Sequence, residues 1–366
     1  MRRNNQTLLP QNRLLSLDAL RGLNMFLLVG LTGIFRALPK LSDNAVNNWL
    51  ANQFVHPEWQ GFTVYDLIFP MFIFIVGVAM PFSFSKRLEK EGGKNELFRH
   101  VLLRTVILTV LGVVLWQAPG GPHPTWGFYS VLYRIGFSYF FAAVIMMNTG
   151  VRGQAYWAFG LLIGYWLLMR FVPVPGYGMG DFSQEGNLAA YVREHVAHYI
   201  SPNFQYVFGL TLITSVSNAL FGVLAGHWLM SQRPGTEKAK GLLVGGVVFI
   251  LVALLAHLDF PINKKLGSPS FTLLTCGVTT VLLSLFYWVI DVKGYRKWAF
   301  LFVVVGVNPI TIYVLDFLIN FNRLGNVFVG GFDFGDANAL MTAIAAAAVV
   351  WLFLYYLYRQ RIFLKI

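Results

Sequence analysis

The sequence predicts an all-α polytopic membrane protein: a bundle of about ten transmembrane helices forming one domain over residues 1–366, with both termini cytoplasmic. Three observations carry that prediction. Hydrophobic residues make up 56% of the chain and charged ones only 12%, against about 25% charged in soluble domains. Apolar runs of roughly 20 residues, long enough to cross a bilayer as helices, recur along the whole length. The runs are continuously apolar and do not alternate, which selects helices over a β-barrel.

In chain order the spans are expected at about 17–38, 63–84, 99–117, 127–148, 153–171, 208–230, 240–257, 270–291, 297–319 and 338–358. The first follows a basic start, but it is too long for a signal peptide and lacks a small-residue cleavage site, so it is expected to stay as a span. The second opens on Thr63 and Asp66, both able to cap a helix, and carries Pro70, which should kink or loosen it. The third follows the Lys86–Arg99 basic group, and the sixth ends on His227 and Trp228 at the interface. The ninth contains Asn308-Pro309, where a proline-broken helix can turn polar backbone towards a cavity.

With the N-terminus in the cytoplasm and ten alternating spans, the net charge of +12 gathers on the cytoplasmic segments. That is the positive-inside pattern, and it places both termini inside. The basic balance therefore reports topology, and nucleic acid is not an expected partner. Cys276 is the only cysteine, which excludes an intramolecular disulfide and a Cys-based metal site. No metal is expected.

The most informative stretch is HPEWQGFTVYDLIFPMFIFIVG, from His56 to Gly77. It sets a titratable histidine, the polar Trp59, Gln60 and Thr63, and Asp66 at the mouth of the second span. Ionisable groups at a membrane boundary are costly and generally have a job or a partner. A histidine exchanges protons near neutral pH, and a neighbouring carboxylate fixes its tautomer. Three more places carry polar chemistry. Asp18 and Arg21 share one helix face at i, i+3. Arg21, with Arg104 and the Lys86–Arg87 pair, could instead bind phosphates entering from the cytoplasm. Lys264 and Lys265 lie in a short outer loop, against the positive-inside trend. Glu58, Asp181 and Glu185 are carboxylates able to hold an ammonium group.

Other patterns point elsewhere. Gly176, Gly178 and Gly180 form GxGxG, but no strand precedes them, so a nucleotide fold is not expected. Glu194, His195 and His198 read as an amphipathic outer helix rather than a metal site. Asn308 is a candidate hydrogen-bonding site residue, and Asp316 a weaker one.

SLDALRG, the His56–Gly77 block, LYRIGFSYFFAA at 132–143, VPGYGMGDFSQEGNLAAY at 174–191, PINKKL at 261–266, GVNPITIYV at 306–314 and the ending YRQRIFLKI together resemble one family. It is the heparan-alpha-glucosaminide N-acetyltransferase family of transmembrane acyltransferases, with its bacterial relatives. The resemblance implies transfer of acetyl from cytoplasmic acetyl-CoA to an amino sugar on the outer side. The family's essential histidine falls on His56. As a general base it would deprotonate the amine, with Asp66 orienting the imidazole and Asn308 or Thr63 donating to the oxyanion. The CoA phosphates would then lie with Arg21, Arg104, Arg134, Lys86 and Arg87. Trp59, Glu58 and Lys264 would bind the acceptor.

Two departures bear on the acceptor: Thr32 replaces an asparagine frequent in the family, and Gly267 replaces an aromatic after PINKKL. An O-acyltransferase acting on envelope glycan hydroxyls, a non-enzymatic transporter and an acetyl-histidine relay stay open as alternatives. The expected setting is the bacterial plasma (inner) membrane, and a homodimer is compatible with the sequence.

Overall fold

The computed structural model describes residues 14–88, 93–116, 130–197 and 209–364. Among them the secondary structure is helical throughout, with one isolated β-bridge between Val174 and Gly178. This is the all-α polytopic membrane fold that the composition predicts.

The helices are α1 (Leu15–Phe26), α2 (Thr32–Leu41), α3 (Ala45–Asn52), α4 (Val64–Leu88), α5 (Gly93–Trp116), α6 (Val131–Asn148) and α7 (Val151–Phe171). They are followed by α8 (Leu188–Tyr191), α9 (Thr211–Met230), α10 (Gly235–Ala256), α11 (Pro269–Phe286), α12 (Phe300–Gly306), α13 (Pro309–Leu318), α14 (Phe321–Val329) and α15 (Asn338–Arg359). Wider π-helical turns join α1 to α2 at Leu27–Leu31 and extend α8 and α11. Thr32 closes the first of these turns by donating its hydroxyl to the Leu27 carbonyl (2.7 Å).

Each of the ten predicted spans meets helix, but not all ten qualify alike. Among the described residues eight helices are long and apolar enough to cross a membrane, and the bent pair α12–α13 makes a ninth if it counts as one span. The helix α7 is 21 residues long, yet Arg152, Gln154, Arg170 and its glycines keep it outside that set. The break between α12 and α13 falls at Asn308-Pro309, as the proline predicts, and turns the chain by 72°. The helix α4 runs from Val64 to Leu88 through both Pro70 and Pro81.

Packing separates two compact units, Trp49–Val281 and Met1–Asn48 with Leu282–Lys365. In the first, α9 is the central helix, packed against α4, α6 and α7. Its span is 78% buried, against 22% for α5 and for α10. Those outer helices expose Leu102, Val106 and Val110 on α5 and Val244, Val248 and Leu251 on α10, the apolar surface that acyl chains cover. The α4–α9 contact rests on glycine: a Cβ on Gly77 would enter the Ala219 carbonyl, and one on Gly222 the Phe74 carbonyl. Without hydrocarbon-driven association inside a bilayer, such backbone proximity is how helices gain contact.

In the second unit, α1 packs on α12 by the same device, with Gly22 against the Phe302 carbonyl and Gly306 against that of Asp18. Asp291 accepts from the Ser16 backbone N–H at the start of α1 (3.2 Å). Gly325 lets α14 lie close against α15.

Candidate active site

Helix α4 begins with a reciprocal cap. Asp66 accepts the Thr63 backbone N–H on Oδ2 (3.1 Å), and the Thr63 carbonyl accepts the Asp66 N–H (3.0 Å). The Thr63 hydroxyl has one proton and two acceptors, the Val55 carbonyl (3.0 Å) and Asp66 Oδ2 (3.2 Å). Asp66 thus caps the helix start through its side chain, and Thr63 contributes its backbone. That geometry corrects one expectation: the Thr63 hydroxyl proton is engaged inside the loop and is not presented as an oxyanion donor.

The other oxygen of Asp66 holds His56. Nδ1 of His56 lies 2.7 Å from Asp66 Oδ1, with the carboxylate fully buried and the histidine side chain 44% exposed. A carboxylate only accepts, so Nδ1 carries the hydrogen and Nε2 is left as the basic nitrogen. Tyr65 adds a ring contact to the imidazole at 4.5 Å between centroids. Pro70, one turn on, lacks the N–H that would bond the Asp66 carbonyl.

A second segment closes over this pair. Lys264 Nζ lies 2.9 Å from His56 Nε2, 3.2 Å from Nδ1 and 3.5 Å from Asp66 Oδ1. The ammonium lies within hydrogen-bond reach of both ring nitrogens. Burial holds the Lys264 pKa below the usual lysine value; the Asp66 carboxylate opposes that shift and Arg134 adds to it.

The Lys264 loop is a tightly bonded turn. Asn263 is buried, its N–H donates to Ser268 Oγ (3.0 Å), and its Oδ1 accepts from Leu266 N–H (3.0 Å). Tyr165 donates its hydroxyl to the Leu266 carbonyl (2.5 Å), and Gly61 N–H reaches the Ile262 carbonyl (3.0 Å). Gly267 adopts φ +59°, a conformation that side-chain-bearing residues rarely take. This accounts locally for glycine at that position.

Trp59 and Lys265 extend the site sideways. The Trp59 indole donates to the Phe182 carbonyl (2.9 Å), and Lys265 Nζ lies 5.7 Å from the Trp59 ring. Lys265 also donates to the Glu58 carbonyl (2.5 Å). The structure thus ties Glu58 in through its backbone, while its side chain faces outward. Asp181 accepts from the Ser183 N–H (2.7 Å) as a turn former. Trp59, Lys265 and Arg134 line a cavity of about 140 Å³ together with Arg193, Gln184 and Thr211.

The expected phosphate group divides. Arg87 and Arg104 both lie within electrostatic reach of His100 and Tyr139, and the Arg104 guanidinium stacks 4.7 Å from the Tyr139 ring. The buried Nε of Arg104 has no hydrogen-bond partner. Arg134 does not join them: it is in the first turn of α6, lines the Trp59 cavity and acts electrostatically on Lys264. Arg21 pairs with Asp18 at 3.0 Å, the intrahelical bond its spacing allows. The side chain of Lys86 and the whole of His198 lie outside the described residues.

Asn308 is given a different task from the expected one. It is buried, its Nδ2 donates to the Ile362 carbonyl (2.9 Å), and its Oδ1 accepts from Leu364 N–H (3.1 Å). It clips the C-terminal segment onto the bend before α13. Among the described residues no three His, Cys, Asp or Glu side chains converge as a metal site.

Fold and site together define a polytopic membrane protein with a carboxylate-oriented histidine at the mouth of a span. Over 97% of its length the chain is 28% identical to heparan-alpha-glucosaminide N-acetyltransferase of Mus musculus and 26% identical to that of Homo sapiens. It spans 61% and 60% of those two proteins. Residues 13–121 match a family described as a domain of unknown function, DUF5009. The chain is thus distantly similar to the N-acetyltransferases that its motifs resemble.

Lys264 was legible as an unusual outer lysine and, through the resemblance, as an acceptor-binding candidate. Its place beside the His56 ring, and the joining of Arg134 to Lys265 at one cavity, depend on contacts between distant segments that no local pattern encodes.

Proposed function

We propose that this chain is a membrane acetyltransferase, with residues 1–366 as one acyltransferase domain, that moves acetyl from acetyl-CoA to the amino group of an outer-side amino sugar. The observation that carries the reading is the 2.7 Å bond between His56 and buried Asp66, which leaves Nε2 as a base at the membrane mouth. The similarity to N-acetyltransferases over 97% of the chain supports the reaction class.

An amino sugar arrives mostly as an ammonium and attacks only after losing a proton. His56 Nε2 takes that proton, and Asp66 stabilises the resulting imidazolium. The amine nitrogen then bonds to the thioester carbonyl carbon. The C–S bond breaks, the CoA sulfur leaves with the proton that His56 returns, and the second proton shed by the nitrogen as it becomes an amide passes to solvent, so each turnover releases one proton.

Acetyl-CoA is the donor substrate, and Arg87 and Arg104 suit its phosphates. At 1.5 Å per residue, Asp66 and Arg87 lie about 30 Å apart along α4. Arg104 lies about 16 Å into α5 from its start, and so offers phosphates a shallower reach to His56. The long pantetheine arm bridges what is left. With the cytoplasmic side as donor side, both termini face inward, and the expected home is a bacterial inner membrane.

The test is CoA thiol release by the purified protein in detergent, with and without glucosamine, beside His56→Ala. Glucosamine-dependent release lost in the variant supports the reading. Release without acceptor, with label on the protein, replaces direct transfer by an acetyl-histidine relay. Binding of acetyl-CoA without release to any amino sugar overturns the amine acceptor and points to a hydroxyl.

A further inference from the structure

We infer that Lys264 is a catalytic residue of this reaction: its ammonium receives the negative charge that develops on the thioester oxygen when the acceptor amine attacks. The inference rests on the acetyltransferase reading and names its oxyanion donor.

Attack on a thioester carbonyl moves an electron pair onto its oxygen, and one positioned donor there is commonly worth about 10²–10³-fold in rate. Both donors suggested by the sequence are committed elsewhere. The Thr63 hydroxyl bonds within its own loop, and the Asn308 amide bonds Ile362 and Leu364. Lys264 has hydrogens to give. Its Nζ lies 2.9 Å from His56 Nε2 and 3.5 Å from Asp66 Oδ1. An ammonium carries three hydrogens, so with one turned to each of those atoms a third remains.

Its position suits that oxygen. Asp66 lies fully buried behind the pair, while the His56 and Lys264 side chains are 44% and 29% exposed. The reactants therefore meet Nε2 on the open side that base and lysine share. A reacting amine lies within hydrogen-bond reach of Nε2 and about 3 Å from the carbonyl carbon it attacks. A lysine nitrogen 2.9 Å from that same Nε2 is then a neighbour of the carbonyl. Nε2 accepts a single hydrogen, so the amine takes the lysine's place there. The ammonium turns on its flexible four-carbon stem towards the oxygen. Burial disfavours charge on Lys264, the Asp66 carboxylate opposes that effect and Arg134 adds to it. A desolvated cation responds strongly to a negative charge appearing beside it.

The atoms balance without any net proton leaving Lys264. His56 Nε2 takes a proton from the acceptor ammonium, and the free amine bonds to the carbonyl carbon. The C=O pair shifts to oxygen, which accepts an N–H of Lys264. As the carbonyl re-forms the C–S bond breaks, the CoA sulfur takes the proton from His56, and the second nitrogen proton passes to solvent.

The experiment uses the full chain in detergent, as wild type, Lys264→Met and Lys264→Arg, with the melting temperature of each preparation reporting its folding. Lys264→Met should lower kcat about 10²–10³-fold with both KM values near wild type, and Lys264→Arg should recover most of that loss. The wild-type kcat should decline on the alkaline side below pH 10.5, as Lys264 with its lowered pKa loses its proton. That decline should vanish in Lys264→Arg, whose guanidinium stays charged. A second readout needs no turnover. It compares S-ethyl-CoA, which lacks the carbonyl oxygen, with S-carboxymethyl-CoA, which sets a carboxylate oxygen close to its place. Wild type and Lys264→Arg should bind the carboxymethyl compound about tenfold tighter, the size of one charge-assisted hydrogen bond. Lys264→Met should bind the two alike.

A loss confined to the acceptor KM overturns the inference by making Lys264 an acceptor contact. A fall in kcat with no carboxymethyl preference in wild type overturns it too, by leaving Lys264 to act through His56 alone. In both cases acetyl transfer stands. A carboxymethyl preference that Lys264→Met loses, without transfer to any amino sugar, keeps Lys264 at the thioester oxygen and overturns the amine acceptor. Failure of acetyl-CoA and both thioethers to bind removes the donor, and both readings fall with it.

Discussion

The ammonium of Lys264 lies 2.9 Å from Nε2 and 3.2 Å from Nδ1 of His56, and 3.5 Å from the Asp66 carboxylate. A cation, a base and a buried anion are thus gathered from segments some 200 residues apart (|i−j| 208 for the lysine–histidine contact). The carboxylate is what allows the lysine to be there: removing one partner of such a group leaves an uncompensated charge.

Lys264 should make stability depend on alkaline pH. Burial lowers its folded-state pKa below 10.5, despite the Asp66 carboxylate that raises it. Between the lowered value and the ordinary one, the unfolded chain binds more protons than the folded chain. Stability therefore rises with pH across that window and is lowest below it. Lys264→Met should lose the rise, so its melting temperature minus that of wild type should be most positive near neutral pH and decline as pH climbs towards 10.5. A difference that stays constant with pH would show that Lys264 keeps an ordinary pKa in the fold.

Asp66→Asn separates orientation from capping. The amide still accepts at the start of α4, but it can offer His56 a donor and so favour the wrong tautomer. The kcat should fall by about 10²–10⁴-fold, the range attached to a positioned general base, while acetyl-CoA still raises the melting temperature. Asp66→Ala loses the cap and strands Lys264 as well, and should cost about 2–4 kcal/mol of stability. Retained activity in Asp66→Asn would mean that His56 needs no orienting carboxylate.

These contacts mark where the sequence is readable. Continuous apolar runs located helix at all ten predicted places because the bilayer imposes length and polarity locally. Asp66 was readable as a cap, and Asn308-Pro309 as a broken helix, since both depend on near neighbours. The close packing of α4 on α9 through Gly77 and Gly222 was not, because it joins segments far apart in the chain. Nor was the separation of Arg134 from Arg87 and Arg104. All three are cations near spans in the sequence, and only the pairing of α5 with α6 decides which end each one occupies.

Arg104 should govern the donor alone. Its buried Nε has no hydrogen-bond partner, and a phosphate oxygen would supply one. Arg104→Gln should raise the KM for acetyl-CoA about tenfold, as expected for one charge-assisted bond, and leave the acceptor KM unchanged. Steady-state kinetics with each substrate varied in turn decides this. An effect on the acceptor KM instead would remove Arg104 from the donor site.

Asn308 tests whether a resemblance in sequence carries a role in chemistry. Its amide bonds the backbone at Ile362 and Leu364 (2.9 and 3.1 Å), so its loss should loosen the C-terminal segment rather than the reaction. Two buried hydrogen bonds at about 1 kcal/mol each give a cost of about 2 kcal/mol for Asn308→Ala. The expected signature is a lower melting temperature and faster proteolysis after Arg359, with kcat per folded molecule close to wild type. An oxyanion donor would behave in the opposite way: its removal would leave stability nearly intact and cut kcat by about 10²–10³-fold. Measuring melting temperature and kcat on the same preparation places Asn308 on one side or the other, because an anchor and a donor move different quantities.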